Sequence, residues 1–309
     1  MRIFITGGSG WIGSVVVLVL ERRGHKVVGL ARSEESAAKL EVAGAEVLRG
    51  DLDEPSILRE GAAAADGVIH LAFKHDIAFS ADGMVAAAAA DRLAIEAMGD
   101  ALAGSDRPFV IASGTPSVPG RIATERDEPQ GAGPAAARVA NGAAVVAMSK
   151  RGIRSSVVRL PRSVHGRGEL HGFIPRLIAM AREKGVSGYV GDGSNRWPAV
   201  HVLDAADLFR IALEAAPAGT VLHAVGDEAI PTREIAAAIG RRLNVPTASV
   251  PAEDFGFLGR VLAVDQPASS TMTRELTGWQ PTHPGLIADL DDDHYFVPTV
   301  RGSSPARVM

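Results

Sequence analysis

The chain has 309 residues and a mass of 32.1 kDa, enough for two domains or for one large α/β domain with an appendage. Apolar residues make up 46% and charged residues 22%, which excludes a disordered, collagen-like or fibrous chain. With 32 basic against 36 acidic residues the formal charge is −4, so no nucleic-acid footprint and no polybasic membrane patch is expected, and the absence of cysteine excludes disulfides, thiolate metal sites and thiol catalysis.

The opening MRIFIT run stops at Gly7, short of the roughly 7–15 apolar residues a signal peptide needs. The stretch VVVLVL at 15–20 is too short to span a bilayer. A cytoplasmic protein is therefore expected. Ile3–Thr6 reads as a buried strand ending in glycines, and Trp11–Arg23 as a helix stopped by Gly24. Val27–Leu30 is a second strand, Glu34–Val42 a helix closed by Gly44, and Glu46–Leu48 a third strand. Pro55 opens the next helix, and Val68–Ala72 is a fourth strand. An alanine-rich helix over 84–104, a strand at Phe109–Ala112, a helix at Ala135–Arg151 and a strand at Ser156–Leu160 follow. Such alternation means an α/β fold, a doubly wound parallel sheet of the Rossmann type covered on both faces.

Beyond about residue 165 the elements shorten and glycine and proline become frequent. Helices are expected at 173–184, 204–215, 232–243 and 284–290, with a further sheet strand near 221–224. The organisation expected is a dinucleotide-binding domain over 1–164, a smaller substrate-binding region over 165–296 and a mobile tail over 297–309.

Residues 6–13 read Thr6-Gly7-Gly8-Ser9-Gly10-Trp11-Ile12-Gly13 and fit T-G-x-x-G-x-x-G, directly after a strand and opening a helix. Glycines permit the tight turn and the close approach of backbone N–H groups to a pyrophosphate, and the helix N-terminus adds a favourable dipole. Gly7, Ser9, Gly10, Trp11, Ile12 and Gly13 are thus expected to hold a dinucleotide. Where an NAD site carries an acid about 20 residues on, this chain has Arg32 and Ser33, suited to a 2′-phosphate. NADP(H) is preferred on that ground, with NAD(H) possible because Glu34 and Glu35 stand close by.

At this point the chain resembles the short-chain dehydrogenase/reductase superfamily, in its extended, atypical branch, which includes the NAD-dependent epimerase/dehydratase-like proteins. Asp51-Leu52 looks like the family's adenine-packing pair, and His70-Leu71-Ala72, followed by Phe73, matches its H-L-A. Val157-Val158-Arg159-Leu160-Pro161 and Val164-His165-Gly166 resemble the segments near the nicotinamide, and Trp197–Val202 with Asp204 the substrate-region segment. The resemblance covers about 1–295. It implies cofactor contacts from Asp51, Leu52, Leu71, Ala72, Phe73, Pro161 and Val164, a small-molecule substrate, and a monomer or a homodimer through the helices near 84–104 and 135–151.

The chain departs from the family where the family uses a tyrosine acid with a lysine four residues later. The tyrosines are Tyr189 and Tyr295, and Gly193 and Thr299 stand four residues beyond them. Counting back from Arg159 puts the tyrosine position near Pro134 and the lysine position near Arg138. Arg138 can hold the cofactor but stays charged and cannot relay a proton. The family's hydroxyl position falls on Thr115, with Ser113 beside it, and Lys74 and His165 are candidate proton sources. His75, His171 and His201 are weaker candidates. No metal site is expected, since Asp291-Asp292-Asp293-His294 reads as a solvated acidic face. Three functions follow in order: an NADP(H)-dependent oxidoreductase passing hydride to a small carbonyl or imine without the usual tyrosine, a non-catalytic NADP(H)-binding sensor or partner protein, and an epimerase or dehydratase.

Overall fold

The computed structural model describes residues 1–78, 83–129 and 136–297. Pro134, Ala135 and the tail from 298 lie outside the described residues. Seven strands form one parallel sheet: β1 (Arg2–Thr6), β2 (Lys26–Ala31), β3 (Glu46–Arg49), β4 (Gly67–His70), β5 (Pro108–Gly114), β6 (Arg154–Leu160) and β10 (Thr220–His223). Their order is β10-β6-β5-β4-β1-β2-β3, so the strand order reverses between β1 and β4. In such a sheet ligands bind beyond the carboxyl ends of the strands at that reversal.

Alternation along β1 shows how the sequence makes the layers. Ile3 and Ile5 face α1 (Trp11–Arg22), α2 (Glu34–Val42) and α8 (Val202–Ala215), while Phe4 faces α3 (Pro55–Ala63), α5 (Gly83–Leu102) and α6 (Ala136–Ala147). Gly61 in α3 makes room for Phe4, whose ring lies 2.7 Å from where a Cβ would stand. β4 ends at His70, two residues before the expected end. The Leu71 amide still bonds to the Thr6 carbonyl, at 3.1 Å, but the Ala72 amide turns to the Thr6 hydroxyl at 3.3 Å and leaves the ladder. α6 passes into a 3₁₀ turn over Met148–Arg151.

The later part of the chain adds α7 (Phe173–Lys184), α9 (Thr232–Leu243) and two small sheets. One runs β11 (Asp227–Pro231), β9 (Arg196–His201), β7 (Ser163–His165), and the other pairs β8 (Ser187–Tyr189) with β12 (Thr247–Ser249). Helices α10 (Phe257–Leu262), α11 (Thr271–Thr277) and α12 (Leu286–Leu290) complete it. This region holds the loop after β5 in place. Ala123 forms a bridge with Ala268, and the buried Glu125 accepts from both the amide and the hydroxyl of Thr273, at 2.7 and 2.6 Å. The Arg159 guanidinium donates to the Asp127 carbonyl at 2.7 Å. No helix among the described residues is long and apolar enough to cross a membrane.

A buried polar chain ties the sheet to α5 and α6. The Thr6 hydroxyl meets His70 Nδ1 at 2.6 Å, His70 Nε2 meets Asp91 at 3.0 Å, and the other Asp91 oxygen accepts from Asn141 at 2.7 Å. An ionised Asp91 only accepts, so His70 Nε2–H donates to it and Nδ1 is left to accept from Thr6. Burial pushes the Asp91 carboxyl up, but the hydrogen bonds of His70 and Asn141 and the nearby Arg138 charge outweigh this and hold it below its ordinary value. Asp91→Ala strands one donor on His70 and one on Asn141. The expected cost, read by denaturant unfolding at pH 7, is roughly 2–4 kcal/mol.

Candidate functional site

The glycine-rich turn is shaped by steric limits. Gly7 has φ +72°, and a Cβ there would stand 2.6 Å from the Ala72 amide nitrogen. A Cβ on Gly13 would stand 2.0 Å from the Gly7 carbonyl oxygen, so α1 is docked against the turn in a way that only glycine allows. Gly10 is the N-cap of α1 and has no side chain to satisfy the first amides, which leaves them directed at the crevice. Ser9 is half-buried in the same turn. The bare turn, the uncapped helix end and the strand reversal beside them fit a dinucleotide pyrophosphate. Trp11 joins the turn to the far side of the crevice, since its indole N–H donates to the Val164 carbonyl at 2.9 Å. Ile12 packs against the core below, and Pro161 is buried at the end of β6.

Arg32 lies at the end of β2, exposed, with Asp76 at 3.6 Å as a distant partner. The acids that follow it are engaged elsewhere: Glu34 with Arg49 at 2.6 Å and Glu35 with Lys39 at 2.7 Å. The Ser33 hydroxyl accepts from the Ser36 amide at 3.2 Å and so caps α2. Leu52 is buried among Leu30, Leu48 and Leu58, and the Asp51 carboxylate accepts from the Asp53 amide at 3.2 Å.

Leu71, Ala72 and Phe73 leave β4 beside the turn. The Arg138 guanidinium lies 3.9 Å over the Phe73 ring, so the side chain at the family's lysine position reaches this loop. Burial pushes its pKa down and the nearby Asp91 charge raises it in part. Lys74 goes elsewhere. Its ammonium pairs with Asp53 in the loop after β3.

Thr115 follows β5, and its amide donates to the Leu160 carbonyl at 3.0 Å. Thr115 is 6% exposed, and its hydroxyl is buried with no hydrogen-bond partner among the described residues. Ser113 sits two residues earlier, its hydroxyl 3.7 Å from where a Cβ of Gly142 on α6 would stand. Gly142 is one helical turn from Arg138, so Ser113 and Arg138 address the same face of α6.

His165 falls in a separate cluster and not beside Thr115. It is the last residue of β7, fully buried, with Nδ1 on Asp289 at 2.8 Å and its edge against His201 at 5.5 Å between centroids. The short strand is buried along its whole length, and this turns the imidazole inward onto α12 and its following segment. His294 bonds the other Asp289 oxygen at 2.8 Å. Burial pushes the Asp289 carboxyl up, but its two histidines outweigh that and hold it far below the usual range. Burial and the neighbouring His165 lower His201 to about 4. His171 lies in the exposed part of the loop after β7. Tyr295 donates to Glu169 at 2.5 Å and accepts from the Gly166 amide at 3.0 Å. Burial and Glu169 push its phenol up from the ordinary value. The acidic run is paired: Asp291 with Arg241, Asp292 with Arg167 and Asp293 with Arg242.

The His70–Asp91–Asn141 chain was not expected. Asp91 lies on the buried stripe of α5 with Ala87, Ala88, Ala94, Ile95 and Met98. A lone acid on an apolar helical stripe is the signal that marks it.

Residues 3–224 match the model of the NAD dependent epimerase/dehydratase family, and the chain belongs to that family. It is 46% identical over 303 residues to an uncharacterised protein of Schizosaccharomyces pombe, covering 96% of this chain and all (100%) of the relative. It is 30% identical over 254 residues to a 2-alkyl-3-oxoalkanoate reductase of Stenotrophomonas maltophilia, covering 76% of this chain and 73% of that one. Among solved structures it is similar to the UDP-glucose 4-epimerase of Thermus thermophilus in complex with NAD. The TM-score is 0.75 at 22% identity, covering 96% of this chain and 99% of that one, which supports the fold.

Glu169 provides a pH test of the histidine cluster's surroundings. Burial raises its pKa to about 8, with Asp289 adding to the rise and the Tyr295 hydrogen bond opposing it. An acid that holds its proton more tightly folded than unfolded loses folding stability as pH rises between the two values. The Glu169 contribution to the melting temperature should therefore shrink from about pH 5 to pH 8, so the unaltered protein should lose melting temperature relative to Glu169→Gln over that range in a thermal melt series.

Proposed function

We propose that the chain is an NADP(H)-dependent oxidoreductase that reduces a small carbonyl or imine without a tyrosine acid. The observation that carries this reading is the Thr115 hydroxyl, buried at the carboxyl end of the sheet without a partner among the described residues. A buried hydroxyl without a partner is costly, and a substrate oxygen is the partner it lacks. Family membership and the reductase among the relatives support an oxidoreductase.

In this reading the backbone from Gly7 to Gly13 holds the pyrophosphate, Arg32 the 2′-phosphate, and Arg138 over Phe73 the nicotinamide ribose. The bound nicotinamide supplies hydride chemistry. Thr115 donates a hydrogen bond to the substrate oxygen and stabilises the charge that builds there. The fixed loop between Glu125 and Thr273 keeps that donor in place, and the Trp11–Val164 bond closes the crevice wall opposite.

A second reading, a non-catalytic NADP(H)-binding protein, is favoured by one observation. Tyr295 is committed to Glu169, and Tyr189 lies on β8 in the small two-stranded sheet. Turnover separates the two readings. Calorimetric titration should show NADPH binding more tightly than NADH, with Arg32→Ala weakening NADPH by about tenfold to a hundredfold and NADH far less. Equal affinities in the unaltered protein would remove the NADP preference. Thr115→Val should lower kcat by about a hundredfold with little effect on NADPH affinity, and Thr115→Ser should restore much of the rate.

A further inference from the structure

Arg162 is a cation with no acid partner among the described residues. It stands two residues beyond β6, half-buried, and its Nε donates to the Gln266 side-chain oxygen. Its guanidinium carbon lies 5.8 Å from the centroid of the Trp197 ring. The terminal guanidinium nitrogens have no protein acceptor among the described residues. Burial alone lowers its pKa, to about 10, with no acid near enough to raise it. Arg196 shows the contrast. Its Nε and one terminal nitrogen bind Asp265 at 3.0 and 2.8 Å, so its charge is neutralised.

Two more buried donors stand beside Arg162. Ser163 pairs with Ala199 across β7 and β9, and Trp197 lies two residues before Ala199, so both side chains share one face of the small sheet. The Ser163 hydroxyl and the Trp197 indole N–H are each buried without a partner among the described residues. Guanidinium and indole nitrogens only donate, and so the group as a whole seeks an acceptor that carries negative charge. Gln266 joins it to the reaction centre, with its oxygen accepting from Arg162 and its nitrogen donating to the Thr115 carbonyl.

We propose that Arg162, with the Ser163 hydroxyl and the Trp197 N–H, binds a carboxylate of the substrate, so that the compound reduced at Thr115 is an oxo acid. The reduction of its carbonyl rests on the function proposed above, whereas the acid group rests on Arg162. One unneutralised cation matches the single charge of a carboxylate. A phosphate monoester brings nearly two charges, and Arg196 offers no second because Asp265 holds it. The fork of N–H groups suits the two oxygens of a carboxylate.

The test pairs each acid with its neutral ester. With NADPH present, kcat/KM is measured for 2-oxohexanoate and 4-oxopentanoate and for their methyl esters. The unaltered protein should favour one acid over its ester, and Arg162→Met should cut that acid-to-ester ratio by about tenfold to a hundredfold. Arg162→Lys keeps the charge without the fork and should fall between, while far-ultraviolet circular dichroism melts confirm that each variant is folded. A parallel calorimetric titration uses hexanoate against hexanamide, neither of which can be reduced. Tighter binding of hexanoate, lost in Arg162→Met, supports the subsite even if no carbonyl turns over, in which case the reductase reading alone fails. Reduction of acid and ester with equal efficiency, or an acid preference unchanged in Arg162→Met, would overturn the subsite and leave the reductase reading standing. Binding of inorganic phosphate in place of hexanoate would overturn the carboxylate assignment.

Discussion

The closeness of two backbone segments governs this structure. The turn after β1 and the loop after β4 lie so near that a Cβ on Gly7 would come within 2.6 Å of the Ala72 amide. That contact sits at the strand reversal, where the crevice of a doubly wound sheet opens. Because the segments touch, the Thr6 hydroxyl can accept from the Ala72 amide and donate to His70 at once. Through His70 and Asp91 the same contact reaches α5, and through Asn141 it reaches α6, the helix that carries Arg138. The bare glycines that suit a pyrophosphate and the polar chain that orients the helices are therefore consequences of one packing constraint. Any side chain at Gly7 would strain the turn and push apart the two walls to which the cofactor is expected to bind.

Much of this was legible in the residues. Short apolar runs separated by helical spacing and glycine stops define the parallel sheet, and the T-G-x-x-G-x-x-G turn marks its functional end. The small sheets were not legible. β7 and β8 have three residues each, β9 carries Pro198, and β11 opens with Asp227 and Glu228, so none shows a strand pattern. Thr115 could be placed by counting along the chain, but its unpartnered hydroxyl is a property of packing. Lys74 and His165 had suitable chemistry, and their directions are set by Asp53 and Asp289, which lie 21 and 124 residues away in sequence. Residue type is local information, whereas the partner that captures a charge is not.

Capture of charge is also what separates structure from function in this chain. Asp204 is surrounded by the amides of Thr282 and His283 and by the His283 ring, and so anchors the segment before α12. Asp289 is held by two histidines, Glu125 by Thr273 and Asp265 by Arg196. Asp204 and Asp289 are spent on partners within the fold, where they fix geometry, whereas Glu125 keeps one buried oxygen without a partner among the described residues and Asp265 is partly exposed. Arg32 is only loosely paired and Arg162 is not paired to any acid among the described residues, and both stand at the rim of the crevice. Desolvating a charge without a partner costs stability, which a fold tolerates where a ligand repays it. On that argument the two cations differ: Arg32 at the β2 end is exposed and loosely paired, whereas Arg162 at the β6 end is half-buried, where a single matched charge counts for more.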